Sequence, residues 1–124
     1  MQDFKKLKVW EKSHQLTLKI YQLTKSFPDN ERYGLVSQIR RCAVSIPSNI
    51  AEVSGRGGKR EFSQFLRIAF GSSCELEYQI LLAHDLGFVD DKEYGTLEPL
   101  ISEIKKMLTG LSQKIQATSL ATEN

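Results

Sequence analysis

The sequence predicts an all-α protein, an antiparallel up-down-up-down bundle of four helices. Apolar residues recur at intervals of three, four and seven positions, which is the spacing of amphipathic helices rather than strands. Residues that end helices divide the chain into four segments of roughly 20–28 residues with short connections, a pattern typical of a simple bundle. With 124 residues, of which 40% are hydrophobic and 26% charged, the chain is sized for one domain around one core.

The first helix is predicted within residues 4–27. Ser13 and Thr17 share its apolar side. Pro28 ends the helix, because the residue before a proline avoids helical dihedral angles, and Asp29 can cap the helix that follows. The residues expected to face the core are Val9, Trp10, Leu16, Ile20, Leu23 and Phe27.

The second helix is predicted to begin near Glu31 and to continue to about Val53. Pro47 lies inside this pattern, where it removes one backbone donor and clashes with the carbonyl of Ala43, so we expect a kink. Three glycines at positions 55, 57 and 58 then end the helix. The residues expected to face inward are Leu35, Ile39, Cys42, Ala43, Ile46 and Ile50.

The third helix is predicted over residues 59–86, with Gly87 as its C-terminal cap. Ala69 and Gly71 lie in its middle. Because Gly71 lowers helix propensity, we expect a neighbouring helix to approach closely at this point. The residues expected in the core are Phe62, Phe65, Leu66, Ala69, Phe70, Leu76, Ile80 and Ala83.

The fourth helix is predicted to follow an N-cap at Asp90 or Asp91, with Pro99 either kinking it or marking the first turn of its main body. The helical period ends near Gln116. We therefore predict a bundle domain over residues 1–116 and a frayed tail over residues 117–124. The residues expected to face inward are Tyr94, Leu97, Leu100, Ile101, Ile104, Met107, Leu108, Leu111 and Ile115.

The charge of the chain is unevenly distributed, although its net value is only +2. Residues 1–68 carry 13 Lys and Arg against 6 Asp and Glu, a balance of +7, whereas residues 69–124 carry 4 against 9, a balance of −5. This asymmetry favours an anionic ligand or head-to-tail subunit contacts, and its plain alternative is a solvated dipolar surface. No signal peptide or membrane span is predicted, which indicates a cytoplasmic protein with Cys42 and Cys74 as reduced thiols.

The motifs that could carry catalysis or bind a metal are incomplete. Glu11 and His14 have the Glu-x-x-His spacing of di-iron bundles, but the other histidine, His84, lacks the matching glutamate. The basic glycine-rich turn at residues 54–60 lacks the glycine, the Ser or Thr and the preceding strand of a phosphate-binding Walker A loop. No serine has a clear base or orienting acid in sequence. We therefore predict no enzyme, no catalytic or metal site and no cofactor.

Basic residues around the central turn are candidates for contacts with nucleic-acid phosphates. Exposed amides at a helix N-terminus flanked by cations suit a phosphate group. The alternative is that the glycines serve the turn and the cations serve solubility. The predicted nucleic-acid-binding residues are Arg40, Arg41, Arg56, Lys59, Arg60 and Arg67, with Lys8 and Lys12 as further candidates.

Polar residues form a stripe on each of the second and third helices, with spacings of three, four and seven. Buried inside a monomer, such side chains would need every hydrogen bond satisfied. We expect them to form a subunit interface, and an intrachain network or an active site are the alternatives. The stripe consists of Gln38, Ser45, Asn49, Glu52, Ser72, Glu75 and Gln79.

The chain resembles the "four helix bundle protein" family, which includes proteins encoded in intervening sequences of bacterial ribosomal RNA genes and accessory proteins of diversity-generating retroelements. The most specific matching run is Ser-Ile-Pro-x-Asn-Ile-Ala-Glu at residues 45–52, and Val53 stands where the family usually has glycine. The other matches lie at residues 4–10, 27–28, 33–35, 38–44, 61–62, 65–66, 69–72, 75–76 and 107–108.

This resemblance implies a four-helix bundle that assembles into a homopentameric barrel. For the retroelement members, it also implies nucleic-acid binding through a basic surface and partnership with a reverse transcriptase. Our first hypothesis is a non-enzymatic oligomeric scaffold that binds RNA or DNA, as an accessory to a reverse transcriptase or to RNA processing. The alternative is an interaction module for an acidic protein partner.

Overall fold

A computed structural model of the protein describes residues 3–55 and 58–123, without the side chains of residues 54, 55, 59 and 118–123. Helices dominate this part of the chain, and it contains no strand. The predicted all-α class is therefore confirmed. The four α-helices are α1 (Lys8–Thr24), α2 (Ser37–Gly55), α3 (Lys59–Asp85) and α4 (Asp91–Glu123).

The helices enclose one apolar core. The main contacts join α1 to α2 and α4, α2 to α3, and α3 to α4, so that each helix has two principal neighbours. The largest predicted core side chains are almost fully removed from solvent, which is the main stabilising term of such a fold. They are Leu16, Ile20, Ile39, Ile46, Ile50, Leu66, Leu76, Ile80, Ile101, Ile104 and Leu108.

The connection between α1 and α2 differs from the sequence prediction. Residues Asp29–Glu31 form a 3-10 turn and Arg32–Val36 a π-helical turn, and α2 begins only at Ser37. The prediction that the second α-helix begins near Glu31 is therefore wrong. The physical reason is Gly34, whose non-helical backbone (φ −106°, ψ −105°) interrupts the regular helix at low steric cost.

Pro47 lies inside α2, which runs unbroken across it. Proline has no N–H, so the carbonyl of Ala43 loses its intrahelical donor. A side chain from α1 replaces it, because the Thr17 hydroxyl lies 3.1 Å from the Ala43 oxygen. The same hydroxyl is 2.8 Å from the carbonyl of Ser13 in its own helix, so its single proton is shared between the two carbonyls. Thr17 therefore ties α1 to α2 at the site of the proline.

The connection between α3 and α4 was predicted correctly. Gly87 adopts a positive φ of 86°, its N–H donates to the His84 carbonyl, and the Phe88 N–H donates to the Ala83 carbonyl. This pair of bonds is a Schellman motif. Asp90 then caps α4, since its Oδ1 accepts a 2.7 Å hydrogen bond from the N–H of Glu93.

Gly71 does not serve helix contact as predicted. A Cβ added at this position would meet nothing within 4 Å, and the residue is exposed, whereas Ala69 is fully buried. The expectation of close approach at Gly71 is therefore wrong. Helix α4 is described to Glu123, and the division at residue 116 into bundle and tail stays a prediction. Within the described ranges, no helix combines the length and apolar content needed to cross a membrane.

Candidate nucleic-acid interface

Two adjoining concavities line the groove between α3 and α4, which we call the α3–α4 groove. Their volumes are about 310 Å³ and about 400 Å³, and they share Phe70, Thr109 and Gln113. No carboxylate is among the described residues that line either concavity. The residues of the groove are Ser63, Leu66, Arg67, Phe70, Ser102, Lys105, Lys106, Leu108, Thr109, Gly110, Ser112, Gln113 and Gln116.

Three cations in this groove come from two helices. Arg67 lies on α3 and is exposed, while Lys105 and Lys106 lie on α4. Lys105 is held in place by Glu77, with 3.1 Å between its Nζ and Oε1, and its Nζ lies 5.8 Å from the centre of the Phe70 ring. The hydrogen bond to Glu77 raises the pKa of Lys105, so this cation stays charged at neutral pH.

The other predicted basic residues do not join this groove. Lys12 binds Glu103 of α4 at 2.9 Å, and Arg40 lies on α2 beside α1. Lys8, Arg41 and Arg60 are exposed on α1, α2 and the first turn of α3. Arg56 and the side chain of Lys59 fall outside the part of the chain that the structure describes. The described cations therefore occupy several separate surfaces of one chain.

Two groove cations were missed from the sequence. Lys105 and Lys106 lie in the half of the chain with the negative balance, so charge counting along the sequence passed over them. The signal that could have found them is their helical position, because Ser102, Lys105 and Thr109 share one face by spacings of three and four. That face meets α3 beside Arg67 and Phe70.

Part of the predicted polar stripe joins α2 to α3 within one chain. The hydroxyls of Ser45 and Ser72 are 2.8 Å apart. Asn49 donates from Nδ2 to the Ser45 carbonyl at 2.7 Å and to its hydroxyl at 3.1 Å. Cys42 donates to the Ser72 carbonyl at 3.4 Å. The intrachain network was one alternative in the sequence analysis, and these four residues form one.

The rest of the stripe is less completely bonded. Gln79 is buried, with 7% of its surface exposed, and donates from Nε2 to Glu75 at 3.5 Å. No described atom donates to its Oε1. Gln38, Glu52 and Glu75 are exposed along the outer side of the α2–α3 pair. A buried acceptor without a donor is costly, so Gln79 is the least satisfied member of the stripe among the described residues.

The thiol beside this network, that of Cys42, stays protonated at neutral pH. Burial and a hydrogen bond with Glu75 raise the pKa of Cys42 to about 12, since both disfavour the thiolate. Cys42 and Cys74 are free cysteines. Among the described side chains, no three His, Cys, Asp or Glu converge in a group that could hold a metal ion.

Comparisons with known proteins agree with the fold. One solved structure is described as a protein of unknown function from the S23 ribosomal protein family of Bacteroides thetaiotaomicron. It matches with a TM-score of 0.78 and 25% identity, over 85% of this chain and 95% of that chain. No curated protein matches the sequence. Residues 5–110 match the family described as 23S rRNA-intervening sequence protein, and the chain therefore belongs to that family.

Proposed function

We propose that the protein is a non-enzymatic, oligomeric scaffold that binds nucleic-acid phosphates through the α3–α4 groove. One observation carries the proposal: Arg67, Lys105 and Lys106 line a continuous groove in which no described lining residue is acidic. Lys and Arg that neutralise phosphates release bound counterions, and this supplies most of the affinity of sequence-independent binding. The family description links its members to 23S rRNA, which makes RNA the first probe.

The groove is suited to the sugar-phosphate backbone rather than to base sequence. Besides its cations, the groove is lined by hydroxyl and amide groups from Ser112, Gln113 and Gln116, which can bond phosphate and ribose oxygens. Phe70 is half-buried beneath Lys105 and is not a free stacking platform. Binding is therefore expected to tolerate sequence changes and to weaken with salt.

For the assembly, we propose an antiparallel bundle that joins sister chains into a homopentameric barrel through the outer side of the α2–α3 pair. The support is Gln79, whose buried Oε1 lacks a donor in the described chain. Ile68 adds an apolar contact, since 43% of its surface is exposed on α3. A ring would present several grooves to one strand and convert weak contacts into avidity.

The test is fluorescence polarisation with single-stranded RNA at several salt concentrations. Replacing Arg67 and Lys106 by Gln removes two exposed cations from the groove. Each lost phosphate contact lowers the slope of log K against log salt by about 0.7, so the double variant should lose about 1.4. The matched control replaces Lys19 and Lys92, two exposed cations between α1 and α4, and should keep the native slope. Equal slopes of log K against log salt in the groove variant and in the control variant would refute binding through the α3–α4 groove.

Pulldown after nuclease treatment distinguishes nucleic-acid binding from the alternative function, which is recognition of an acidic protein. Under the proposal, the chain retains a partner protein only when RNA is present. A reverse transcriptase is the partner class to probe for co-elution. A protein retained without RNA by the native chain, and lost from the Arg67 and Lys106 double variant, would assign the groove to that protein instead.

A further inference from the structure

A second basic concavity lies at the corner between α1 and α2, on surfaces the α3–α4 groove does not reach. We call it the corner pocket. Its volume is about 210 Å³, below the roughly 300–1,000 Å³ of pockets that enclose drug-sized ligands. It therefore has room for a small group rather than a whole cofactor. The pocket is lined by Thr24, Lys25, Phe27, Pro28, Asp29, Arg32, Val36 and Arg40.

Arg40 is fixed at the wall of the corner pocket by contacts with α1. Its Nε donates to the Thr24 hydroxyl at 2.8 Å, and Nη2 donates to the Tyr21 carbonyl at 3.4 Å. The guanidinium also stacks 4.6 Å from the centre of the Tyr21 ring. Thr24 is buried and directs its own proton to the Ile20 carbonyl, 2.8 Å away, which leaves its lone pairs for Arg40.

These contacts leave part of the guanidinium available. An arginine has five N–H donors, and the two bonds to Thr24 and Tyr21 use two of them. The remaining donors belong to a planar group that is already held in position. Binding an anion would therefore cost little side-chain entropy at Arg40, which is the advantage of a preorganised site.

Two further cations line the same concavity. Lys25 and Arg32 face a single lining carboxylate, Asp29, so the described lining carries a net charge of +2, three cations against one anion. Arg32 opens the irregular turn Arg32–Val36, which is kinked at Gly34. Tyr33, the next residue, has 90% of its surface exposed.

We propose that the corner pocket binds a phosphate group, with the rest of the ligand outside. A phosphomonoester is close to a dianion at neutral pH and matches the net charge of the lining. Arginine recognises phosphate through paired donors, which the oriented Arg40 supplies. The phosphate can come from inorganic phosphate or from the end of a nucleotide or RNA strand. This site is independent of the α3–α4 groove.

The test is calorimetric titration of the full chain with inorganic phosphate, adenosine monophosphate and adenosine. We expect both phosphates to bind and adenosine not to bind. Tighter binding of the nucleotide than of inorganic phosphate identifies a terminal phosphate as the ligand, and equal affinities identify free phosphate. Absence of binding by both phosphates at millimolar concentration would overturn the proposal.

Variants locate the site. Arg32→Gln and Arg40→Lys should each weaken phosphate binding about tenfold or more, because each removes a charge-assisted bond or its paired geometry. Arg40→Lys retains the charge and tests geometry alone. The control is Arg41→Gln, which removes a neighbouring exposed cation outside the pocket and should bind normally. The same loss in Arg41→Gln would show nonspecific charge attraction and refute the pocket. The Arg67 and Lys106 double variant should also bind phosphate normally, which separates this site from the proposed RNA groove.

Discussion

The hydroxyl of Thr17 should stabilise the fold because of the proline in the facing helix. In Thr17→Val, the carbonyl of Ala43 loses the hydroxyl that lies 3.1 Å away, while Pro47 still provides no N–H. Ala43 is fully buried, so water does not replace the donor. An unsatisfied buried carbonyl costs about 1–3 kcal/mol, and the added methyl group returns up to about 0.8 kcal/mol.

We therefore expect Thr17→Val to lower the free energy of unfolding by about 1–2 kcal/mol. For a domain of this size, that corresponds to a fall in Tm of roughly 4–8 °C. Urea unfolding followed by circular dichroism measures the change. The control is Ser13→Ala, since Ser13 is also buried but bonds the Trp10 carbonyl, which retains its helical donor. This variant should lose less than about 1 kcal/mol.

A double-mutant cycle isolates the mechanism. Pro47→Ala restores an N–H four residues after Ala43, which can donate to that carbonyl within α2. In this background, Thr17→Val should cost less than about 0.5 kcal/mol, so that the two substitutions are coupled by about 1 kcal/mol. An equal cost of Thr17→Val with and without Pro47 would show that the hydroxyl does not replace the missing donor.

Three further predictions concern Gln79, His84 and the cysteines. If sister chains satisfy Gln79, Gln79→Met should weaken self-association about tenfold by analytical ultracentrifugation, whereas unchanged association with higher unfolding stability would refute that interface. The 2.7 Å hydrogen bond to Asp91 raises the pKa of His84, so its stabilisation is complete below the unfolded pKa near 6.5 and is lost as pH rises through the folded pKa. Nuclear magnetic resonance titration should find a lower pKa for His84 in Asp91→Asn, and an unchanged value would contradict the assignment. Iodoacetamide at about pH 8 should alkylate Cys74 well before Cys42, whose pKa of about 12 keeps it protonated; similar rates would refute this.

The helices and their core could be predicted because the relevant signals are local. Apolar spacing placed Leu16, Ile50 and Ile101 in the core, where all three are fully buried. Gly87 was identified as a cap, and Asp90 was one of two candidates with Asp91, because caps satisfy backbone groups a few residues away. Such features depend on the chemistry of one turn and need no knowledge of the tertiary fold.

The α1–α2 connection could not be predicted, because it depends on contacts between distant residues. The pattern of Leu35 and Ile39 extended the helical period back toward Glu31, yet the backbone leaves the α-helix at Gly34. Arg40 anchors the start of α2 to Thr24 across sixteen residues of sequence. A sequence pattern contains no information on that pairing until both helices have been positioned.

The candidate groove was predicted in part for a similar reason. Arg67 was among the expected basic residues, but Lys105 and Lys106 were assigned to the acidic half of the chain. Summing charge along a sequence treats neighbours in the chain as neighbours in space. In a bundle, the charge on each helix face is more informative than the charge summed along the chain, because the groove combines one face of α3 with one face of α4.

The polar stripe separates into two edges with different roles. Ser45, Asn49 and Ser72 lie at the inner edge, where their bonds to one another hold α2 against α3. Gln38 and Glu75 lie at the exposed outer edge. One helical face spans both edges, so spacing alone cannot separate helix pairing from subunit contact. Alanine substitution at the inner edge should therefore lower unfolding stability, whereas Gln38→Ala at the outer edge should alter association alone. Loss of association in Ser72→Ala with native stability would contradict this division.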